Sequence, residues 1–110
     1  FDVILLLNVI HHLDYPIYFL SRLSNICNER LIIEYPTTDD PKFQSINPDN
    51  IKGPYIGVSD KTNLDQTFMF NDISLEYILI KNNRWFDRVE FHESNYSKNR
   101  RIAIFYKSLN

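Results

Sequence analysis

Residues 1–16 read FDVILLLNVIHHLDYP, and the unbroken aliphatic run from Val3 to Leu7 inside this stretch decides the fold. A strand with one face in water alternates apolar and polar residues. This run does not alternate, which predicts a strand of a parallel sheet with helices over both faces. The run gives way to Asn8 and the pair His11 and His12, and then Asp14 and Pro16 stand where a helix begins, the aspartate able to cap it and the proline suited to its first turn. Ile17, Leu20, Leu23 and Cys27 recur at helical spacing, and Asn25 and Asn28 mark the end. A second aliphatic run, RLIIEYP at 30–36, follows at once. Strand, short helical crossover and strand make a parallel pair with a right-handed connection.

Beyond Pro36 periodicity fades. Gly53, Gly57, Pro41, Pro48 and Pro54 fall here among many Asn, Asp and Ser residues, so residues 36–70 read as a long loop, a lid or substrate-binding insertion with room for a short internal helix. A second helix starts near Asn71 or Asp72. Ile73, Tyr77 and Ile80 form one stripe and Leu75, Ile78 and Leu79 another, a breadth that predicts burial on more than one side. Asn82 and Asn83 close it, asparagine being able to take the left-handed cap conformation. Val89 and Phe91 then alternate with charged residues as in an edge strand, residues 95–101 are a polar turn, and RIAIFYK at 101–107 completes a β-hairpin.

The chain has 110 residues, 44% of them hydrophobic and 15% aromatic, enough for a core and against disorder. A formal net charge of −2 gives no global attraction to nucleic acid or an anionic membrane. The N-terminal apolar stretch is too short to span a bilayer and lacks a basic lead-in, so no membrane partner is expected. A single cysteine, Cys27, excludes an internal disulfide and fits a reducing compartment, the cytosol.

Taken in order, FDVILLLNVIHHLDYPIYFLSRL, LIIEYP and SLEYILIKNNRWFDRVEFHES…RRIAIFYK resemble the C-terminal half of a class I S-adenosylmethionine-dependent methyltransferase. The first is similar to that family's fourth strand and following helix, the last to its final helix and antiparallel sixth and seventh strands. The resemblance implies a partial doubly wound, Rossmann-like α/β sheet with parallel strands and a C-terminal antiparallel β-hairpin. It also implies S-adenosylmethionine as cofactor, bound by the complete domain, with methyl transfer to a small molecule or a tRNA base. The family's glycine-rich loop, the acidic strand end that holds the ribose and the residues near adenine would stand upstream of Phe1. Residues 1–110 are therefore expected to be an incomplete domain, inactive alone and prone to self-association through an exposed first strand. The alternative is a non-catalytic, methyltransferase-like binding module.

Ligands of open α/β sheets bind at the carboxyl ends of the strands. By resemblance, the backbone at Asn8 and Val9 borders the methionine part of the cofactor, and His11 or His12 faces the transfer cavity as base or orienting group, imidazole having a suitable pKa. The bland reading packs one histidine under the helix and leaves the other in solvent. Glu34, Tyr35 and Asp39, with Asp40, lie at or beyond the second strand's end, where a carboxylate orients an acceptor amine or hydroxyl, or else pairs with a neighbouring cation. No third ligand stands at metal spacing from the histidines. Residues 98–101, KNRR, read as a solvated hairpin tip or a phosphate contact. Cys27 lies on an apolar stripe, His92 on a surface strand, and Phe68, Phe70 and Trp85 suit a core.

Overall fold

A computed structural model describes residues 1–36, 53–58, 68–95 and 100–108. Its elements are β1 (Val3–Leu7), α1 (Pro16–Ile26), β2 (Arg30–Pro36), β3 (Ile56–Val58), β4 (Phe68–Phe70), α2 (Asp72–Glu76, running on as a π-helix over Tyr77–Asn82), β5 (Arg88–Glu93) and β6 (Arg100–Tyr106). Four strands form a mixed sheet in the order β1-β2-β6-β5, and β3 and β4 form a separate antiparallel ribbon. β1 and β2 are parallel, with Val3 opposite Arg30 and Leu7 opposite Glu34. β6 lies antiparallel on the other side of β2, with Arg30 opposite Tyr106, and β5 pairs with β6 at the outer edge. The expected edge position of the Val89–Phe91 strand and the closing hairpin are both found. The ribbon lies within residues 36–70; the expected internal helix, and Asp39 and Asp40, lie outside the described residues.

The two faces of the main sheet differ. Ile4 and Leu6 of β1, Leu31, Ile33 and Tyr35 of β2, Ala103 and Phe105 of β6, and Val89 and Phe91 of β5 share one face by register, and these join Leu20, Cys27, Leu75, Ile78, Leu79 and Phe86 in a single core. Both helices therefore bury their apolar stripes against the same face. The opposite face carries Val3, Leu5, Leu7, Ile32, Ile102, Ile104 and Tyr106, none of which belongs to that core. Val3, Leu5 and Leu7 are 39%, 60% and 47% exposed. The aliphatic run thus has helix cover on one side among the described residues, where the sequence predicts cover on both. The radius of gyration, 13.6 Å, is near the ~13 Å of a compact domain this size.

Helix boundaries bring two further corrections. Pro16 is the first residue of α1, so Tyr15 holds the capping position without a side-chain hydrogen bond, and Asp14 stands one residue too early to cap. Asn71, by contrast, caps α2: its side chain accepts from the Ser74 N–H at 2.8 Å while the Ser74 hydroxyl accepts from the Asn71 N–H at 3.1 Å. The π-helix then widens the turn, and Asn83 N–H bonds back five residues to the Ile78 carbonyl at 3.3 Å. That offset moves the left-handed cap past both asparagines to Arg84, at φ 56°. Burial on α2 is confined to one side, since Ile73 and Tyr77 are 40% and 47% exposed while Leu75 and Leu79 are fully buried.

Candidate functional site

β1 and β2 end side by side, and the chain leaves β1 through an unusual residue. Asn8 has φ 57°, a left-handed conformation asparagine tolerates better than most residues, and its N–H donates to the Glu34 carbonyl at 3.1 Å. This bond extends the ladder by one residue while the positive φ swings the chain off the strand. A single 3₁₀ turn, Ile10–His12, follows, closed by the His12 N–H on the Val9 carbonyl at 2.9 Å. Ile10 is fully buried and anchors the turn; Asn8 and Val9 stay exposed at the rim. The turn separates the histidines. His11 is 1% exposed and His12 is exposed, their ring centroids 4.1 Å apart.

Glu34 and Tyr35 are neighbours on β2 and so point to opposite faces. Glu34 sits on the open face, where its carboxylate accepts from the Ser94 hydroxyl at 3.3 Å. Tyr35 points into the core and donates its hydroxyl to Asp72. Arg101, opposite Tyr35 in the register, donates to the same carboxylate at 2.5 Å. Burial, reinforced by the Asp72 carboxylate, pushes the Tyr35 phenol well above its ordinary range, and the same carboxylate raises Arg101. This trio ties the start of α2 to the facing ends of β2 and β6. Arg101 belongs to it rather than to a hairpin tip, because the antiparallel register carries it to Tyr35. Lys98 lies outside the described residues. The sequence signal was there: an aspartate just inside a capped helix, and an arginine opening the strand that pairs with β2.

A cavity of about 260 Å³ opens between the start of α1 and the β3–β4 ribbon. Among the described residues, Tyr15, Tyr18, Phe68 and Phe70 line it with Ile17, Ile56, Pro16 and Asp14. It lies beside the histidine turn, since that turn packs on β4 and Asp14 follows His12 by two residues. Sequence reasoning assigned these phenylalanines to the core. Phe70 is indeed buried, yet one side of it borders the cavity. The missed signal is the density of aromatic residues on both sides of a helix start.

Elsewhere the chemistry is quiet. Cys27 is 2% exposed and burial raises its thiol pKa, which keeps it from the nucleophilic thiolate form. His92 stands on the exposed edge strand, 3.5 Å from Glu90. Among the described residues no group of three His, Cys, Asp or Glu side chains is placed to hold a metal ion, and no helix is long and apolar enough to cross a membrane. No protein-family model, curated protein or solved structure matches the chain.

Proposed function

We propose that the chain is the substrate-side part of a class I S-adenosylmethionine-dependent methyltransferase, acting in the cytosol on a small molecule or a tRNA base. The strand arrangement carries this reading. A parallel pair joined by a helical crossover, then an antiparallel hairpin with its last strand against the second parallel strand and its first at the edge, follows the sequence resemblance element by element. The apolar face that carries no helix among the described residues adds support, because a doubly wound sheet carries helices on both faces and here both described helices occupy one.

Asn8 and Val9 fit one edge of the cofactor. The positive φ of Asn8 leaves both residues exposed at the carboxyl end of β1, while the Asn8 N–H is already committed to Glu34, so the Asn8 side chain and the backbone carbonyls would meet the methionine end. When bound, S-adenosylmethionine supplies an electrophilic methyl group. The chain's own residues position the acceptor and handle its proton. His12, exposed on the rim, takes that proton at an imidazole nitrogen, and Glu34 orients the acceptor's amine or hydroxyl through charge-assisted hydrogen bonds. Tyr35, raised in pKa and buried, holds the rim in shape.

Photocrosslinking of radiolabelled S-adenosylmethionine to the protein expressed from its complete reading frame tests the proposal. Label in the peptide containing Asn8 and Val9 supports it. Absence of label at micromolar cofactor overturns it and leaves a non-catalytic binding module.

A further inference from the structure

We propose that two copies of this chain pair β1 against β1 in antiparallel fashion, about a two-fold axis at Leu5, so that their main sheets become one continuous sheet. The inference goes beyond the methyltransferase reading and does not depend on it.

Backbone direction comes first. The Asp2 carbonyl accepts from the Arg30 N–H at 2.9 Å and the Asn8 N–H donates to the Glu34 carbonyl at 3.1 Å, so the even-numbered residues of β1 turn their peptide groups toward β2. In a parallel pair the residues between them turn theirs away. The N–H and C=O groups of Val3, Leu5 and Leu7 therefore point off the sheet, and no strand among the described residues pairs with β1 on that side. The side chains of the same three residues lie on the open face, with Leu5 60% exposed.

These features select a register. Antiparallel strands bond where outward-turned residues meet each other, which sets Leu5 opposite Leu5 and Val3 opposite Leu7 and engages all three in hydrogen-bonded pairs with their aliphatic side chains abreast. Sliding one copy by two residues sets Leu7 against Phe1 or Val3 against Val9, both outside β1. In the centred register Asp2 falls across from Asn8 rather than from its own copy, and β1 itself carries no charge, so nothing repels.

The same features favour a second copy over a longer assembly. An isologous contact uses one strand twice and so closes. β5, the other outer strand, carries Arg88, Glu90 and His92 on the open face, which discourages further addition. One strand pair buries less than about 1,200 Å², the range of weak contacts, so half-association is expected near about 10⁻⁴ M.

Engineered cysteines in the 110-residue chain read the register, since Cys27 is 2% exposed and stays out of reach. Facing residues of a hydrogen-bonded antiparallel pair have Cα atoms about 5.5 Å apart, within disulfide range, whereas Val3 lies about 13 Å from Val3 of the other copy. Under mild oxidation Leu5→Cys should crosslink to itself. A mixture of Val3→Cys and Leu7→Cys should crosslink faster than either variant alone by about tenfold, and mainly as the mixed dimer. Sedimentation equilibrium of the unaltered chain should fit monomer and dimer with no larger species. Self-crosslinking of Val3→Cys as fast as the mixture indicates parallel pairing and overturns the proposal, as does assembly past the dimer. A chain still monomeric at about 1 mM, tenfold above the expected midpoint, also overturns it and leaves the edge to a strand of another protein.

Discussion

His11 and His12 sit next to each other in sequence and meet opposite environments, one 1% exposed and the other open to solvent. On the proposed reading, His12→Gln in the complete enzyme should lower kcat by about 10²–10⁴-fold with little change in cofactor affinity or melting temperature. His11→Gln should instead lower the melting temperature, with activity falling in proportion; paired kinetic and calorimetric measurements separate the two. Tyr35 offers a test by pH. Its ordinary pKa of 10.0 is raised in the folded protein, so above about pH 10 the unfolded chain gives up a proton that the folded chain keeps, and stability falls as pH rises. Tyr35→Phe should cost about 1–2 kcal/mol at neutral pH and flatten that alkaline decline, as read from urea midpoints between about pH 8 and 11. Arg84 at φ 56° carries strain that glycine would not. Arg84→Gly should raise stability by about 0.5–1 kcal/mol, the left-handed cost less glycine's extra chain entropy, measurable by thermal melting.

At the scale of elements, stripes of equal apolarity fared unequally on α2. Leu79 is fully buried and Ile73 is 40% exposed. Leu79→Ala should therefore destabilise by about 2–4 kcal/mol and Ile73→Ala by less than about 1 kcal/mol, as measured by denaturant midpoints. The sequence could not separate these stripes, because the choice depends on which side the sheet lies. The π-turn was hidden for a similar reason: its extra residue changes the phase of the helix without changing its composition, and it shifted the left-handed cap from asparagine to Arg84. β1 and β2 were legible to the residue because their aliphatic runs are bounded by Asn8 and Pro36. The β3–β4 ribbon was not, since three-residue strands are too short for any period to show. At the candidate site, Asn8, Val9 and the histidines announced a strand end, whereas the Tyr35–Asp72–Arg101 trio joins residues 37 and 29 apart, and the aromatic cavity likewise brings distant segments together.

For the molecule as a whole, the two outer strands are protected unequally. β5 presents Arg88, Glu90 and His92 toward the open face, with Arg88 stacked 3.7 Å over the Tyr106 ring and paired to Glu90 at 2.9 Å. Such charges discourage another strand from adding on. β1 presents Val3, Leu5 and Leu7 instead. The chain should self-associate through β1 and the neighbouring apolar face, with a sedimentation coefficient that rises with concentration. Leu5→Lys, exposed and outside the core, should restore a monomer with unchanged melting behaviour, and a wild-type chain that stays monomeric at high concentration would refute the edge as the cause. Consider finally that β6, last of the strands along the chain, lies between β2 and β5. A ribosome delivers residues in order at about 5–20 per second, so β2 waits several seconds for its neighbour on that side. The nascent chain must therefore hold LIIEY and RVEF out of wrong pairings until residues 100–106 emerge. Until then the sheet has no centre, and a holding chaperone would have its best purchase on these strands.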